Sequence, residues 1–222
     1  MNNFSKQQNY ELAAIRRDQI NSLNYVISGW QSLSHLYQEI DFKEDKYQKA
    51  CDQLVLTLSP YFPKLKQINR LEGYDISNLG SKVFVGAMTV YQNGKIDTSQ
   101  YRQFKINSKV NPDDQFMIKE IVYRRLKHPE WLYPNILMVD GGKPQVSAAH
   151  QAIELSNNSK INQIYVIGLA KKFETIVIKT VDDWVEINLP KNSPALQLLQ
   201  QIRDEAHRFS NRYRKKIISN QF

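Results

Sequence analysis

RLEGYDISN, residues 70–78, is the stretch whose reading decides the fold. Its residues have the apolar and aromatic flavour of a strand, a single carboxylate arrives at Asp75, and Ser77, Asn78 and Gly80 follow with turn chemistry. A carboxylate is thereby placed at the carboxyl end of a buried strand, where open α/β folds put their chemistry. A second stretch, Pro134-Asn135-Ile136-Leu137-Met138-Val139, ends the same way, in Asp140-Gly141-Gly142. Taken singly, either aspartate also reads as a helix cap or turn former, and Asp-Gly-Gly is good turn chemistry in its own right. Brought together by neighbouring strands, two such carboxylates would repel and stay partly protonated unless a cation sat between them, and Mg²⁺ or Mn²⁺ prefers oxygen ligands of this kind.

The elements around these two stretches say whether they meet. Residues 68–76, 83–91 and 100–106 read as strands rich in β-branched and aromatic residues, and Asn93-Gly94 is a strong hairpin turn, so an antiparallel meander is expected. Asn111-Pro112-Asp113-Asp114 opens a helix to about Lys127. The strand ending at Asp140 follows, then a helix over 144–155, a strand over 163–168, short strands near 174–179 and 184–188, and a last helix from Ser193-Pro194 to about Lys216. A right-handed crossover from the meander lays the strand 134–139 beside the first and parallel to it, so Asp75 and Asp140 end together at one sheet edge. This is the arrangement of the ribonuclease H-like fold, an α/β mixed sheet flanked by helices.

Upstream, residues 9–27 read as an amphipathic helix, with Leu12, Ile15, Gln19, Ile20 and Leu23 near one face. Further helical stretches are expected over Trp30–Tyr37 and Asp45–Leu58, before Ser59-Pro60-Tyr61-Phe62-Pro63 ends the segment. The domain boundary is accordingly expected at 66/67, dividing a small helical segment, 1–66, from the main domain, 67–222. Charge follows that division: residues 1–66 hold 8 Lys or Arg against 7 Asp or Glu, leaving +7 of the total +8 to residues 67–222. A basic domain favours polyanions, of which nucleic acid is the commonest inside cells.

No apolar run approaches the ~20 residues a bilayer-spanning helix needs, and Met1–Gln8 is polar with no apolar core region. The lone Cys51 rules out an internal disulfide and a cysteine-rich zinc site and fits a reducing compartment. A cytoplasmic protein is expected. In the last helix, His207 lies four residues after Arg203, so the two share a face. A histidine there is either a surface residue or, facing the aspartates, a metal ligand or proton relay.

Six blocks in order carry a resemblance: RLEGYDISN (70–78), VGAMTVYQNGK (85–95), YRQFKI (101–106), ILMVDGGKPQ (136–145), VIGLAK (166–171) and LPKNSPALQLLQQIRDEAHRF (189–209). Residues 70–216 resemble the carboxy-terminal endonuclease domain of the UvrC family, the incision subunit of bacterial UvrABC nucleotide excision repair. The resemblance implies a metal-dependent DNA endonuclease, using Mg²⁺ or Mn²⁺, that cuts the damaged strand on the 5′ side of a lesion. It places the family's catalytic and metal-binding set on Asp75, Asp140 and His207, and a further catalytic aspartate on Asp114 or its neighbour Asp113. YELAAIRRDQI (10–20) is similar to the UVR motif, which implies pairing with UvrB through Ala13, Ala14, Arg17 and Asp18. The chain reads as a shortened form, without the family's GIY-YIG and helix-hairpin-helix domains. Phosphate contacts to damaged double-stranded DNA therefore fall to basic residues of this domain, Lys143, Lys171, Arg203 and Arg208 foremost. The alternative is a non-catalytic UvrB- or DNA-binding module of the same stock.

Overall fold

A computed structural model describes residues 46–79, 83–106, 113–156, 161–171 and 173–219, with positions 12, 15–17, 19, 20 and 23 of the first segment. The chain divides into two compact units, Met1–Asp45 and Lys46–Phe222. In the first, every described position is helical. Its apolar residues Leu12, Ile15, Ile20 and Leu23 are exposed. The helix expected over 30–37 and the motif residues Ala13, Ala14 and Asp18 lie outside the described residues.

The second unit begins earlier than the expected boundary at 66/67, and packing explains why. Helix α1, residues 46–58, carries Ala50, Cys51, Leu54 and Leu58 at three- and four-residue spacing. All four are buried in one cluster with Leu71, Ile136 and Ile167 of the sheet, so this helix belongs to the sheet's core. The prolines after it end the helix, as the sequence indicates, without ending the unit.

Strands β1 (Arg70–Leu79), β2 (Val83–Gln92), β3 (Lys95–Ile96), β4 (Arg102–Ile106), β5 (Ile136–Asp140), β6 (Tyr165–Ala170), β7 (Thr175–Lys179) and β8 (Trp184–Ile187) alternate with α2 (Asp114–Leu126), α3 (Lys143–Leu155) and α4 (Pro194–Ser219). Among the described residues the strands form one mixed sheet in the order β3-β2-β1-β5-β6-β7-β8, with β4 also paired to β2. The meander is present with one refinement. Asn93 and Gly94, at φ 48° and 81°, close a hairpin onto the two-residue β3, and β4 pairs separately further along β2. As expected, β5 lies beside β1 and parallel to it.

Strand alternation sorts the two cores. Tyr74, Leu137 and Val139 pack under α2 and α3 with Ile118, Ile121, Val146 and Ala149. Leu71, Ile136 and Met138 pack on the other face, under α1 and α4, with Leu196, Leu199 and Ile202. Helix α4 approaches β1 closely because position 73 has no side chain: a Cβ there would lie 2.4 Å from Ile202 Cγ2 and 3.0 Å from Thr89 Oγ1.

A charged cluster is buried on the α2 side of β1. Glu72 accepts from Arg70 Nε at 2.8 Å, from Arg125 Nη2 at 2.9 Å and from the Tyr74 hydroxyl at 2.7 Å. Arg125 Nη2 also donates to the Leu132 carbonyl at 2.7 Å, and Arg70 donates to Gln92 and Gln100. The cluster ties the end of α2 and the segment before β5 to the start of β1.

Two outcomes follow. Gly73→Ala is expected to lower stability by about 1–3 kcal/mol through overpacking against α4, with partial recovery in Gly73→Ala/Ile202→Val, both read by denaturant melts. Glu72→Gln is expected to cost about 3–5 kcal/mol because it leaves two buried guanidinium groups without their anion, whereas Glu186→Gln on the surface should leave the melt unchanged.

Candidate active site

Asp75 lies within β1 and Asp140 ends β5. The β1–β5 register pairs Tyr74 with Val139, so the two aspartates follow at the next position of adjacent strands. Both fall on the α4 face, in the same alternation as Leu71, Ile136 and Met138. After Asp140 the chain turns sharply. Gly141 N–H donates to the Leu169 carbonyl at 3.2 Å, Gly142 N–H donates to Gln145 Oε1 at 3.2 Å, and α3 begins with Pro144 in its first turn. Gly168 on β6 makes room for that turn, since a Cβ there would stand 2.5 Å from the Gly141 carbonyl oxygen.

Helix α4 supplies the third group. With Ile202 seated on Gly73, the helix carries buried Ala206 and Ser210 along β1, and the Ser210 hydroxyl donates to Ser77 Oγ at 2.7 Å. His207 Nδ1 stands 3.6 Å from Asp75 Oδ2; the imidazole is 58% exposed and the carboxylate 5%. The fourth group is Lys171, directly after β6, whose Nζ is 3.1 Å from Asp140 Oδ2.

The electrostatics are those of carboxylates held short of partners. Asp75 Oδ2 and Asp140 Oδ1 are buried and accept no hydrogen bond. Burial pushes the Asp75 carboxyl above its ordinary range; His207 pulls it down, Asp140 adds to the rise, and Ser210 and Lys171 oppose it. Two carboxylates with unclaimed oxygens and an imidazole alongside are a donor set that fits Mg²⁺ or Mn²⁺, which takes one or two carboxylates and completes its shell with water and phosphate oxygens. Among the described residues no three His, Cys, Asp or Glu side chains converge closely enough to hold a metal by themselves.

Other residues singled out by the sequence are placed differently. Asp113 caps α2, accepting from Phe116 N–H at 2.7 Å, while Asp114 is exposed in the first turn of that helix, and no hydrogen bond or ion pair joins it to Asp75, Asp140 or His207. The four cations expected to meet phosphate are each beside a carboxylate. Lys143 pairs with Glu186 at 2.9 Å, Lys171 with Asp140, and Arg208 with Glu205 at 2.6 Å. Arg203, only 16% exposed, grips both Glu174 oxygens at 2.7 and 2.6 Å. Arg203 thus holds the turn between β6 and β7 against α4. Sequence reasoning passed over Ser210 and Glu174; the spacing Arg203, His207, Ser210 on one helix was the signal available.

Residues 62–210 match the UvrC RNAse H endonuclease domain, and residues 1–26 match the UvrB/uvrC motif. The chain belongs to the UvrC family. It is 38% identical over 191 residues to UvrABC system protein C of Pelodictyon phaeoclathratiforme, covering 83% of this chain and 29% of that protein. It is 42% identical over 151 residues to the protein of the same name from Dictyoglomus thermophilum, covering 67% and 24%. The matched region therefore spans 29% and 24% of the length of these two curated UvrC relatives. Among solved structures, Ciona intestinalis endonuclease V in complex with a 24mer DNA containing an inosine aligns at a TM-score of 0.47 and 13% identity, over 83% of this chain and 99% of that one. A UvrC domain of ribonuclease H type accounts for the mixed sheet.

The raised Asp75 pKa fixes a sign. A carboxyl whose folded pKa lies above its unfolded value of ~3.9 contributes stability below that value and loses it as pH rises through the folded pKa. Asp75→Asn is therefore expected to raise Tm at pH 7 in EDTA, with the gain shrinking as pH falls through the folded pKa and gone below the unfolded value of ~3.9. An unchanged or lowered Tm at pH 7 would contradict the assignment.

Proposed function

We propose that this chain is a divalent-metal-dependent DNA endonuclease that makes the 5′-side incision of a damaged strand within the UvrABC system. The observation that carries the reading is the pair of buried carboxylates at the ends of adjacent parallel strands, each with an oxygen that accepts no hydrogen bond. Burying such oxygens is costly unless a ligand compensates them. Membership of the UvrC family and the basic surplus of the unit support a DNA substrate.

Asp75 and Asp140 would hold the ion, which when bound polarises a phosphodiester and lowers the pKa of water. Asp75, raised by burial, gains from a cation beside it. His207, beside Asp75 and open to solvent, is placed to move a proton to or from the reacting oxygens. Lys171 offsets the charge of Asp140 and can turn from that carboxylate to a phosphate, its ammonium being 73% exposed. Asp114, in the first turn of α2, enters this reading through the family resemblance alone, as a further catalytic carboxylate.

The first helix supplies the partner. Its exposed Leu12, Ile15, Ile20 and Leu23 offer an apolar face, and the UvrB/uvrC motif covers it. We assign that face to UvrB, with exposed Arg17 on the same helix contributing a charged contact.

Purified chain with UvrA, UvrB, Mg²⁺ and a 3′-nicked lesion duplex is expected to cut on the 5′ side. Asp75→Ala and Asp140→Ala should each reduce the rate by about 10³-fold or more with circular dichroism unchanged. Absence of any cut by the unaltered chain, or normal cutting by either variant, would refute the reading.

A further inference from the structure

The cations beside the carboxylate pair are taken by acids, and a second set stands elsewhere in the unit. Strand β4 and the end of α2 carry Arg102, Lys105, Arg124 and Lys127, and among the described residues none of the four forms an ion pair. Glu120, one turn before Arg124, makes none with it, and Glu130 is held by His128 at 2.6 Å. Rings position three of the four instead. Arg102 Cζ lies 4.8 Å from the centre of the Trp131 ring, Arg124 Cζ 5.5 Å from that of buried Phe104, and Lys127 Nζ 4.4 Å from that of Tyr123. A ring face places a cation without cancelling its charge. Backbone carbonyls add to the placement, Arg124 Nη1 donating to the Lys105 carbonyl at 2.8 Å and Arg102 Nη1 to the Tyr101 carbonyl at 2.8 Å.

The sheet register ties this set to the site. Ser77 pairs with Val85 and Val85 with Lys105, so the three share the sheet face that carries Asp75. Lys105 stands two strand spacings, ~10 Å, from Ser77. Among the described residues β4 pairs only with β2, so its other edge is a border of the sheet. Phe104 faces the core beneath α2 and Arg124 sits over it, so the cations pass round that border from the face of the site to α2.

Resting on the nuclease reading above, we propose that the β4–α2 border binds the phosphate backbone of the duplex arm on one side of the cut. The rings there are covered by the cations they hold, so the border offers positive charge, neither a base-stacking platform nor the apolar centre of a protein interface. A strand presents one phosphate per ~3.4 Å of duplex axis, so Lys105 meets the backbone about three base pairs from the scissile phosphate, and the cations round the border meet it beyond.

The test uses the full chain with Ca²⁺ replacing Mg²⁺ and a fluorescein-labelled 3′-nicked duplex. Lys105→Gln/Lys127→Gln, both exposed, is expected to weaken binding about ten-fold at 0.1 M salt and to make the slope of log affinity against log salt shallower by about 2. Lys105→Arg/Lys127→Arg should restore both. Lys64→Gln/Lys66→Gln, which removes the same charge ahead of β1, should leave the slope unchanged. Neutral methylphosphonates scanned along the duplex should weaken the unaltered chain over one run of positions, beginning about three base pairs from the cut, and leave the Gln variant indifferent there. If the Gln variant keeps the slope and affinity of the unaltered chain, or loses affinity for UvrB alone, the border is not a DNA surface and the proposal is overturned while the nuclease reading stands. If the unaltered chain binds with the predicted slope and never cuts, the nuclease reading falls and the DNA surface remains.

Discussion

The constraint on which the site depends is the seat of α4 on β1. Ile202 occupies the space that a side chain at position 73 would fill, and that contact fixes the height and rotation of a helix 26 residues long. Everything α4 brings to the site depends on it. Ala206 is buried, Ser210 meets Ser77, His207 stands exposed beside Asp75 and Arg203 reaches across to Glu174. A shift of the helix by one residue would rotate its face by about 100° and remove all four at once. The glycine in the middle of β1 weakens the strand locally, and the close packing it permits is what positions the His207 imidazole 3.6 Å from a buried carboxylate.

The charges around the site are arranged to leave the carboxylates short. Lys143, Arg203 and Arg208 are each taken by Glu186, Glu174 and Glu205, so although the unit is basic, little of that charge is spent on Asp75. Lys171 reaches the pair and satisfies one oxygen of Asp140, while Asp140 Oδ1 and Asp75 Oδ2 accept no hydrogen bond. An unfilled demand for positive charge in a buried place is a standing cost to the fold, and a bound divalent cation returns it as affinity. The site is thus weaker in stability for the same reason that it can be strong in binding.

Much of this is legible in the sequence. Period-two patterning, the Asn93-Gly94 turn and the requirement for a right-handed crossover were enough to set β5 beside β1 and so to bring Asp75 and Asp140 together. The limits are equally physical. Proline and serine at 59–63 mark the end of α1, but a helix end is not a domain end, and only the burial of Leu54 and Leu58 against the sheet assigns that helix to the second unit. Asp113 and Asp114 both fit a cap by composition, and the choice depends on which carboxylate meets the Phe116 N–H. Arg203 looks like a phosphate ligand because a sequence lists cations without their partners; Glu174 lies 29 residues away in the chain and on another element.

The sharpest contrast lies within one strand. Glu72 and Asp75 are three residues apart on β1, so alternation sends them to opposite faces. Both are buried acids in the same motif, and sequence alone favours neither. Glu72 is met by Arg70, Arg125 and the Tyr74 hydroxyl, its lone pairs filled by side chains that also lock α2 to the sheet. Asp75 has one oxygen with no hydrogen-bond partner, a carboxylate neighbour and a histidine at its edge. A carboxylate surrounded by donors has no capacity left for a ligand; one that is buried and left wanting has little other use. The same physical rule, that a buried charge must be compensated, therefore separates Glu72, which is satisfied within the fold, from Asp75, which is not, and supports the role proposed for Asp75.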